Sequence, residues 1–149
     1  MTHITLHKRS IARIAAVQSL YQMALIQSSD VQTVEDFQKH FEKDLLKEVA
    51  SKKYDREFFA KLLQGTARSL KDIDPIIEKA LPDNWAFKRI DHVILAILRA
   101  ATFELWQFAE TDSPVIINEY VNVTHAFFDD KEPGFVNGIL HNIAGHLRG

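Results

Sequence analysis

The sequence predicts an all-α protein whose two helical halves pack as a single domain. Apolar residues recur at intervals of three and four along most of the chain, which is the spacing of one helix face. No stretch shows the sustained two-residue alternation that is typical of half-buried strands. The 149 residues are enough for one sizeable core, but each half alone is too small for a good one.

Three apolar stripes predict the helices of the N-terminal part. The first runs from Ile14 to Leu25, the second from Val31 to Leu45 and the third from Phe59 to Ile73. Asp74 and Pro75 then form a typical start signal, an N-cap residue followed by proline at the first helical position. We therefore expect a separate short helix to begin there.

A break at residues 81–84, with the sequence LPDN, divides the chain into an N-terminal half, 1–81, and a C-terminal half, 82–149. The stretch at about 90–108 is apolar almost all round, which predicts a central buried helix.

A second cap-then-proline signal, at Asp112 and Pro114, predicts the next helix. Val115–Ile117 is the best strand candidate, but it directly follows this signal and is therefore interpreted as helix. A polar turn over residues 129–134 precedes the last predicted helix, which begins near Phe135.

Composition excludes several classes of protein. The chain is 46% hydrophobic and 26% charged, an ordinary globular balance. It has no cysteine, which excludes disulfide frameworks, thiolate metal sites and cysteine nucleophiles. No apolar run approaches the ~18 residues of a membrane span, and no secretory signal is visible at the N-terminus. We therefore expect a cytoplasmic protein without a membrane partner.

Signatures of catalysis are absent from the sequence, which has no GxGxxG, P-loop or GxSxG motif. The histidines are scattered: His141 and His146 fall on different helix faces, and His3 and His7 lie near the terminus. We expect no enzymatic activity, no metal site and no cofactor.

Positive charge is concentrated at the start of the chain. Residues 1–29 contain Lys8, Arg9 and Arg13 and no acid, although the net charge of the whole chain is -2. Arg9 and Arg13 are one helical turn apart beside the apolar sector, so we expect their guanidinium groups to stay in water, where they suit phosphate contacts. A solvated helix start without any phosphate contact explains these three cations equally well.

Arg99 is a lone cation within the most apolar helix. A buried arginine needs a carboxylate partner, because an unpaired buried charge is costly. Glu104 points to another helix face, so we expect a structural ion pair between Arg99 and Glu119 of the next helix.

Four segments carry a resemblance to a known family. They are HKRSIAR running into AVQSLYQ (7–22), the apolar residues that precede Trp85, ILRAA followed by FEL (97–105), and PVIINE leading to FVNGIL (114–140). In this order and at this spacing they resemble the bacterial NusB family of transcription antitermination factors. The resemblance covers nearly the whole chain, with little of it between about residues 28 and 54.

The resemblance implies a fold of two small helical bundles packed as one domain and a function in binding. Family members bind boxA-type RNA in ribosomal RNA leader transcripts together with a small-subunit ribosomal protein, called NusE in this role. The pair joins the antitermination complex on RNA polymerase, and no reaction is catalysed. Homodimer formation is left open.

The resemblance also implies two binding surfaces. The RNA-binding residues that it implies are Lys8, Arg9, Arg13, Lys131 and Phe135. The cations would contact phosphates and the ring of Phe135 would stack on a base, so we expect one continuous surface drawn from both ends of the chain. Tyr21 and Asp91 are assigned to the protein partner.

The sequence departs from the family pattern at the RNA-binding residues. Ser10 and Ile11 stand where many members have arginine, and Pro133-Gly134 replaces a lead-in that often carries lysine. We therefore expect an RNA site with fewer cations than many family members have. The alternative is a helical protein–protein adaptor that does not bind RNA directly, and salt dependence distinguishes the two, because phosphate contacts weaken steeply with salt. A small-molecule enzyme would instead need a pocket with perturbed titratable groups.

Overall fold

The structure is a computed structural model that describes residues 8–25, residue 39 and residues 54–149. Within these ranges the regular structure is entirely helical, with six α-helices, one turn of 3₁₀ helix and no strand, which confirms the predicted fold class. The helix predicted from Val31 to Leu45 lies outside the described residues apart from Lys39, and so do His3 and His7.

The first two helices of which the structure describes the full length, α1 (Lys8–Leu25) and α2 (Arg56–Arg68), pack against each other. Asp55 starts α2 as its N-cap, because its carboxylate accepts a hydrogen bond from the N–H of Phe58. The backbone N–H of Asp55 also donates to the carbonyl oxygen of Lys8 at 3.3 Å. The beginnings of the two helices are therefore joined.

The third helix, α3 (Leu70–Ala80), follows α2 with only Ser69 between them. The prediction that one helix continues to Ile73 and that another begins at Asp74 is therefore wrong. Pro75 lies inside α3, where the buried Ile73 and Ile77 flank it. Burial of these two side chains offsets the backbone hydrogen bond that proline cannot donate.

The break predicted at residues 81–84 is confirmed. Residues 81–91 contain no α-helix, and their only regular structure is a 3₁₀ turn at Phe87–Arg89. This connection leads directly into α4.

The fourth helix, α4 (His92–Gln107), is the centre of the described fold. It contacts each of the other five described helices, and most of its side chains are buried. This confirms the prediction of a central buried helix at about 90–108. Its N-cap is Asp91, whose carboxylate accepts hydrogen bonds from the N–H groups of Val93 and Ile94 at 2.8 and 3.2 Å.

The last two helices, α5 (Ser113–Phe127) and α6 (Glu132–Arg148), pack on each other and on α4. Asp112 is the N-cap of α5 with Pro114 in its first turn, and Val115–Ile117 is helical, as predicted. Arg148 joins the end of α6 to the connection between α4 and α5. Its guanidinium donates to the carbonyl oxygens of Leu105, Phe108 and Thr111.

The buried side chains of all six described helices form one hydrophobic cluster, to which both halves of the chain contribute. None of the described helices combines the length and apolar character that crossing a membrane requires.

Candidate nucleic-acid interface

Arg13 is buried, with only 3% of its surface exposed. Its guanidinium forms a bidentate ion pair with Glu104 of α4, with Nε–Oε1 and Nη2–Oε2 distances of 2.9 and 2.6 Å. The hydroxyl of Tyr120 donates to the same carboxylate at 2.8 Å. The prediction that Arg13 keeps its charge in water is therefore wrong. Glu104 also needs a partner because it is fully buried, and Arg13 is the cation that α1 presents to it.

The raised pKa values of Arg13 and Tyr120 keep both side chains protonated. Burial alone would lower the pKa of Arg13, but the hydrogen bond and the negative charge of Glu104 outweigh burial and raise it. Burial, followed by the charge of Glu104, raises the pKa of Tyr120 well above its ordinary value. Arg13 thus stays charged, and Tyr120 stays a neutral donor. The cluster connects α1, α4 and α5.

Glu119 also belongs to this cluster. Its carboxylate accepts a hydrogen bond from the hydroxyl of Ser10 at 2.9 Å and lies 3.3 Å from Nη1 of Arg13. The side chain of Glu119 is 22% exposed, so the contact lies at the edge of the core. The predicted ion pair between Glu119 and Arg99 is therefore wrong.

Arg99 pairs instead with Asp74 of α3, with Nε–Oδ1 and Nη2–Oδ2 distances of 2.9 and 2.8 Å. The expectation of a carboxylate partner is confirmed, but the partner comes from the preceding helix. Asp74 is available because it lies within α3, which packs on α4, whereas Glu119 faces α1. The side chains of Asp74 and Arg99 are 27% and 16% exposed.

The exposed cations at the start of α1 form a small surface that we call the basic patch, consisting of Lys8 and Arg9. The guanidinium of Arg9 lies 4.5 Å from the centre of the Phe58 ring and 3.5 Å from a carboxylate oxygen of Asp55. Almost half of the Arg9 side chain, 46%, stays exposed. The patch is thus held by the start of α2 and still presents positive charge to solvent.

Phe135 and Lys131 lie elsewhere, at the start of α6, and line a groove with the residues that lead into α4. We call it the aromatic groove. Its volume is about 410 Å³, and it is lined by Trp85, Arg89, Ile90, Asp91, Ile94, Phe128, Lys131, Glu132 and Phe135. The rings of Trp85 and Phe135 are tilted by 40° with their centres 4.6 Å apart. Trp85 is the more exposed ring of the two, at 45%.

Helix α5 connects the basic patch with the aromatic groove. Glu119 contacts Ser10, the neighbour of Arg9, and Phe128 at the end of α5 lines the groove. These two positions are separated by a rise of about 14 Å along α5 and by about half a turn around it, so the path between them passes partly round the helix. Three exposed polar side chains occupy the helix face between them: Asn118, Asn122 and His125.

The two residues assigned to the protein partner have different surroundings. Tyr21 is half-buried and packs against the hydrophobic core from α1. Asp91 is exposed, caps α4 and lines the aromatic groove beside Lys131. Neither position tests the assignment to a protein partner, which stays a prediction.

Sequence reasoning missed two residues of this region and two ion-pair partners, Asp74 of Arg99 and Glu104 of Arg13. Trp85 and Arg89 line the groove but fall in the irregular connection before α4, where helical periodicity gives no signal. Glu104 carried a usable signal, since an acid in an apolar helix needs a partner as much as Arg99 does.

Comparison with known sequences matches this chain to one family. The family model described as NusB family matches residues 10–145. The transcription antitermination protein NusB of Rhizobium rhizogenes is 40% identical over 97% of this chain and 91% of its own length. Its counterpart from Rhizobium meliloti is also 40% identical, over 96% of this chain and 89% of its own.

Solved structures give the same result. The structure is similar to T. maritima NusB, with a TM-score of 0.74 and 27% identity over 92% of this chain and 90% of that one. It is also similar to a chain in the crystal structure of antitermination factors NusB and NusE in complex with dsRNA. That TM-score is 0.73, with 28% identity over 93% of this chain and 97% of the other. From both the sequence match and the fold, the chain belongs to the NusB family.

Proposed function

We propose that this protein is a transcription antitermination factor. It binds boxA-type RNA of ribosomal RNA leader transcripts together with the ribosomal protein NusE, and the pair joins the antitermination complex on RNA polymerase. The observation that carries the proposal is the family match, which extends over nearly the whole chain. The similarity to a NusB chain crystallised with NusE and dsRNA supports both partners.

RNA binding uses exposed cations at separate points of the surface. Lys8 and Arg9 contact phosphates at the basic patch, and Lys131 contacts a phosphate beside the aromatic groove, where Phe135 supplies apolar surface. Arg13 takes no part in phosphate contact, since Glu104 already holds its buried guanidinium. By pairing with Glu104, Arg13 anchors α1 to α4 and so fixes the position of the basic patch.

A single strand reaches from the basic patch to the aromatic groove by crossing α5. The crossing rises about 14 Å along α5 and passes about half-way round it, which corresponds to a few nucleotides, within the site sizes of single-strand binders. Asn118, Asn122 and His125 on this face offer polar contacts without opposing charge. Three phosphate-contacting cations give modest affinity, so a protein partner must reinforce RNA binding.

The protein acts as an adaptor in the cytoplasm and catalyses no reaction. NusE binding involves Tyr21 and Asp91, and residues 1–149 work as a single domain. The ring of Tyr21 packs against the core with part of its surface open to solvent, which suits a residue at an interface.

A gel shift with leader RNA, with and without purified NusE, tests the proposal. We expect weak binding of the RNA alone and clearly tighter binding when NusE is present. Tyr21→Ala should reduce the gain from NusE and leave binding of RNA alone unchanged, with Tyr21→Phe as the control that keeps the ring. A protein that binds NusE but gives no RNA shift under either condition is an adaptor without direct RNA binding.

A further inference from the structure

We infer that the aromatic groove is a binding site for a nucleotide base and that Trp85, together with Arg89, is an RNA-contacting residue of this protein. The inference rests on the proposed function and deepens it. It changes which side chain presents an aromatic face, and it adds a cation that sequence reasoning did not assign.

The ring geometry favours Trp85 over Phe135 as the stacking surface. With the two ring centres 4.6 Å apart, the indole covers one side of the Phe135 ring. Phe135 is partly buried against the hydrophobic core, whereas 45% of Trp85 is open to solvent. A base that enters the groove therefore meets the indole first, and Phe135 supports it from behind. Stacking on an exposed ring is the way in which single-strand binders hold bases without reading their sequence.

The walls of the groove suit a flat apolar ligand with charge at its edge. The buried part of its lining is apolar, formed by Ile90 and Ile94 with the partly buried Phe128, and its exposed part includes two cations, Arg89 and Lys131. An RNA base attached to a phosphate has this combination of an apolar face and a nearby negative charge.

Two acids at the rim, Asp91 and Glu132, do not oppose this assignment strongly. The carboxylate of Asp91 accepts hydrogen bonds from Val93 and Ile94 at the start of α4. Glu132 lies in the first turn of α6. Both charges therefore face positive helix ends, which offset part of their repulsion of a phosphate.

The occupant is RNA rather than a protein segment because the groove continues the proposed RNA surface. Lys131 and Phe135 belong to both, and α5 joins the groove to the basic patch along a face that carries no acid among its exposed members, Asn118, Asn122 and His125. Asp91, which is assigned to NusE, is exposed where the groove meets the start of α4, so NusE can contact it there while a base occupies the groove.

Binding of a fluorescently labelled boxA RNA by the full chain, measured across a range of salt concentrations, tests the inference. Trp85→Leu keeps an apolar side chain over Phe135 but removes the π-face, and it should weaken binding roughly 5- to 150-fold with an unchanged salt slope. Trp85→Phe should restore most of the affinity. Arg89→Gln should reduce the slope of log K against log salt by about one.

The chain supplies a matched control and an optical signal. Trp106 is the second tryptophan, 40% exposed at the far end of α4, so Trp106→Leu makes the same change outside the groove and should leave RNA affinity unchanged. With Trp106→Phe, Trp85 is the only indole, and the RNA should quench its fluorescence at saturation. Circular dichroism of each variant verifies the fold.

The outcomes separate this inference from the proposed function. If Trp85→Leu binds the RNA as the parent does while Lys8→Ala with Arg9→Ala weakens binding, the base site is wrong and the RNA-binding function stands. If neither change affects RNA binding, the proposed RNA surface fails as a whole. If Trp85→Leu weakens NusE binding alone, the groove is a protein site and the inference is overturned.

Discussion

Arg13 and Glu104 form a bidentate ion pair in the interior, with side chains that are 4% and 0% exposed. Their backbones belong to α1 and α4, which come from opposite halves of the chain. The conspicuous arginine spacing at the start of the sequence therefore has two separate uses: Arg9 faces solvent, and Arg13 anchors α1 to the central helix.

Replacing Arg13 with Met should destabilise the fold by about 3–5 kcal/mol, because the buried carboxylate of Glu104 loses its cation. Urea unfolding measures the loss. Adding Glu104→Gln should recover part of it, since the amide keeps an acceptor for Tyr120 without a stranded charge. Arg9→Met is the control, and at its half-exposed site it should cost less than about 1 kcal/mol. Equal unfolding midpoints for the two single variants would contradict the buried role of Arg13.

The raised pKa of Tyr120 predicts a loss of stability at high pH. The folded protein retains this proton above pH 10.0, where the unfolded chain releases it, so the unfolding free energy should fall as pH rises past that value. The slope from this group approaches about 1.4 kcal/mol per pH unit. We expect Tyr120→Phe to remove that part of the slope. A stability difference between parent and variant that stays constant from pH 7 to 11 would rule out the effect.

Gly65 is required by a close approach of two helices. A Cβ at this position in α2 would lie 2.6 Å from Cε2 of Phe103, whose ring packs edge-on against Trp106 and Phe108. Gly65→Ala should destabilise by about 1–3 kcal/mol despite the better helix propensity of alanine. Gly145→Ala, which meets open space on α6, should stabilise by about 0.5–1 kcal/mol. Thermal melts that rank the two variants in the opposite order would refute the crowding argument.

The ion pair between Arg99 and Asp74 should give a measurable coupling energy. We expect Arg99→Met and Asp74→Asn each to destabilise by about 1–2 kcal/mol, less than a fully buried pair, because both side chains keep partial access to water. The double variant should be more stable than the sum of the single losses predicts. Additive losses in urea unfolding would mean that the pair contributes nothing, and a cycle between Arg99 and Glu119 should show no coupling.

Most of the described helices and their order were predictable from the sequence, because buried faces repeat at helical spacing, but the boundary between α2 and α3 was not. The ion-pair partners of Arg99 and Arg13 were harder to predict. From the sequence, Glu104 and Glu119 were the acids considered as partners of Arg99. Periodicity alone does not reveal that Asp74 lies within α3, where it reaches Arg99. The same holds for Arg13, since its position on the border of an apolar face is compatible with solvent or with a buried acid. The family resemblance indicated Phe135, but only the structure shows that Trp85 covers it.

The proposed binding of RNA through exposed cations, which include the basic patch, can be tested by the salt dependence of the affinity. The measurement is the affinity for boxA RNA, in the presence of NusE, across a series of salt concentrations. We expect Lys8→Ala with Arg9→Ala to weaken binding and to lower the slope of log K against log salt by up to about two. Arg68→Ala with Lys71→Ala removes the same two charge types from exposed positions elsewhere and should leave the slope unchanged. If the variant without Lys8 and Arg9 keeps the slope and affinity of the parent, RNA does not bind at the basic patch.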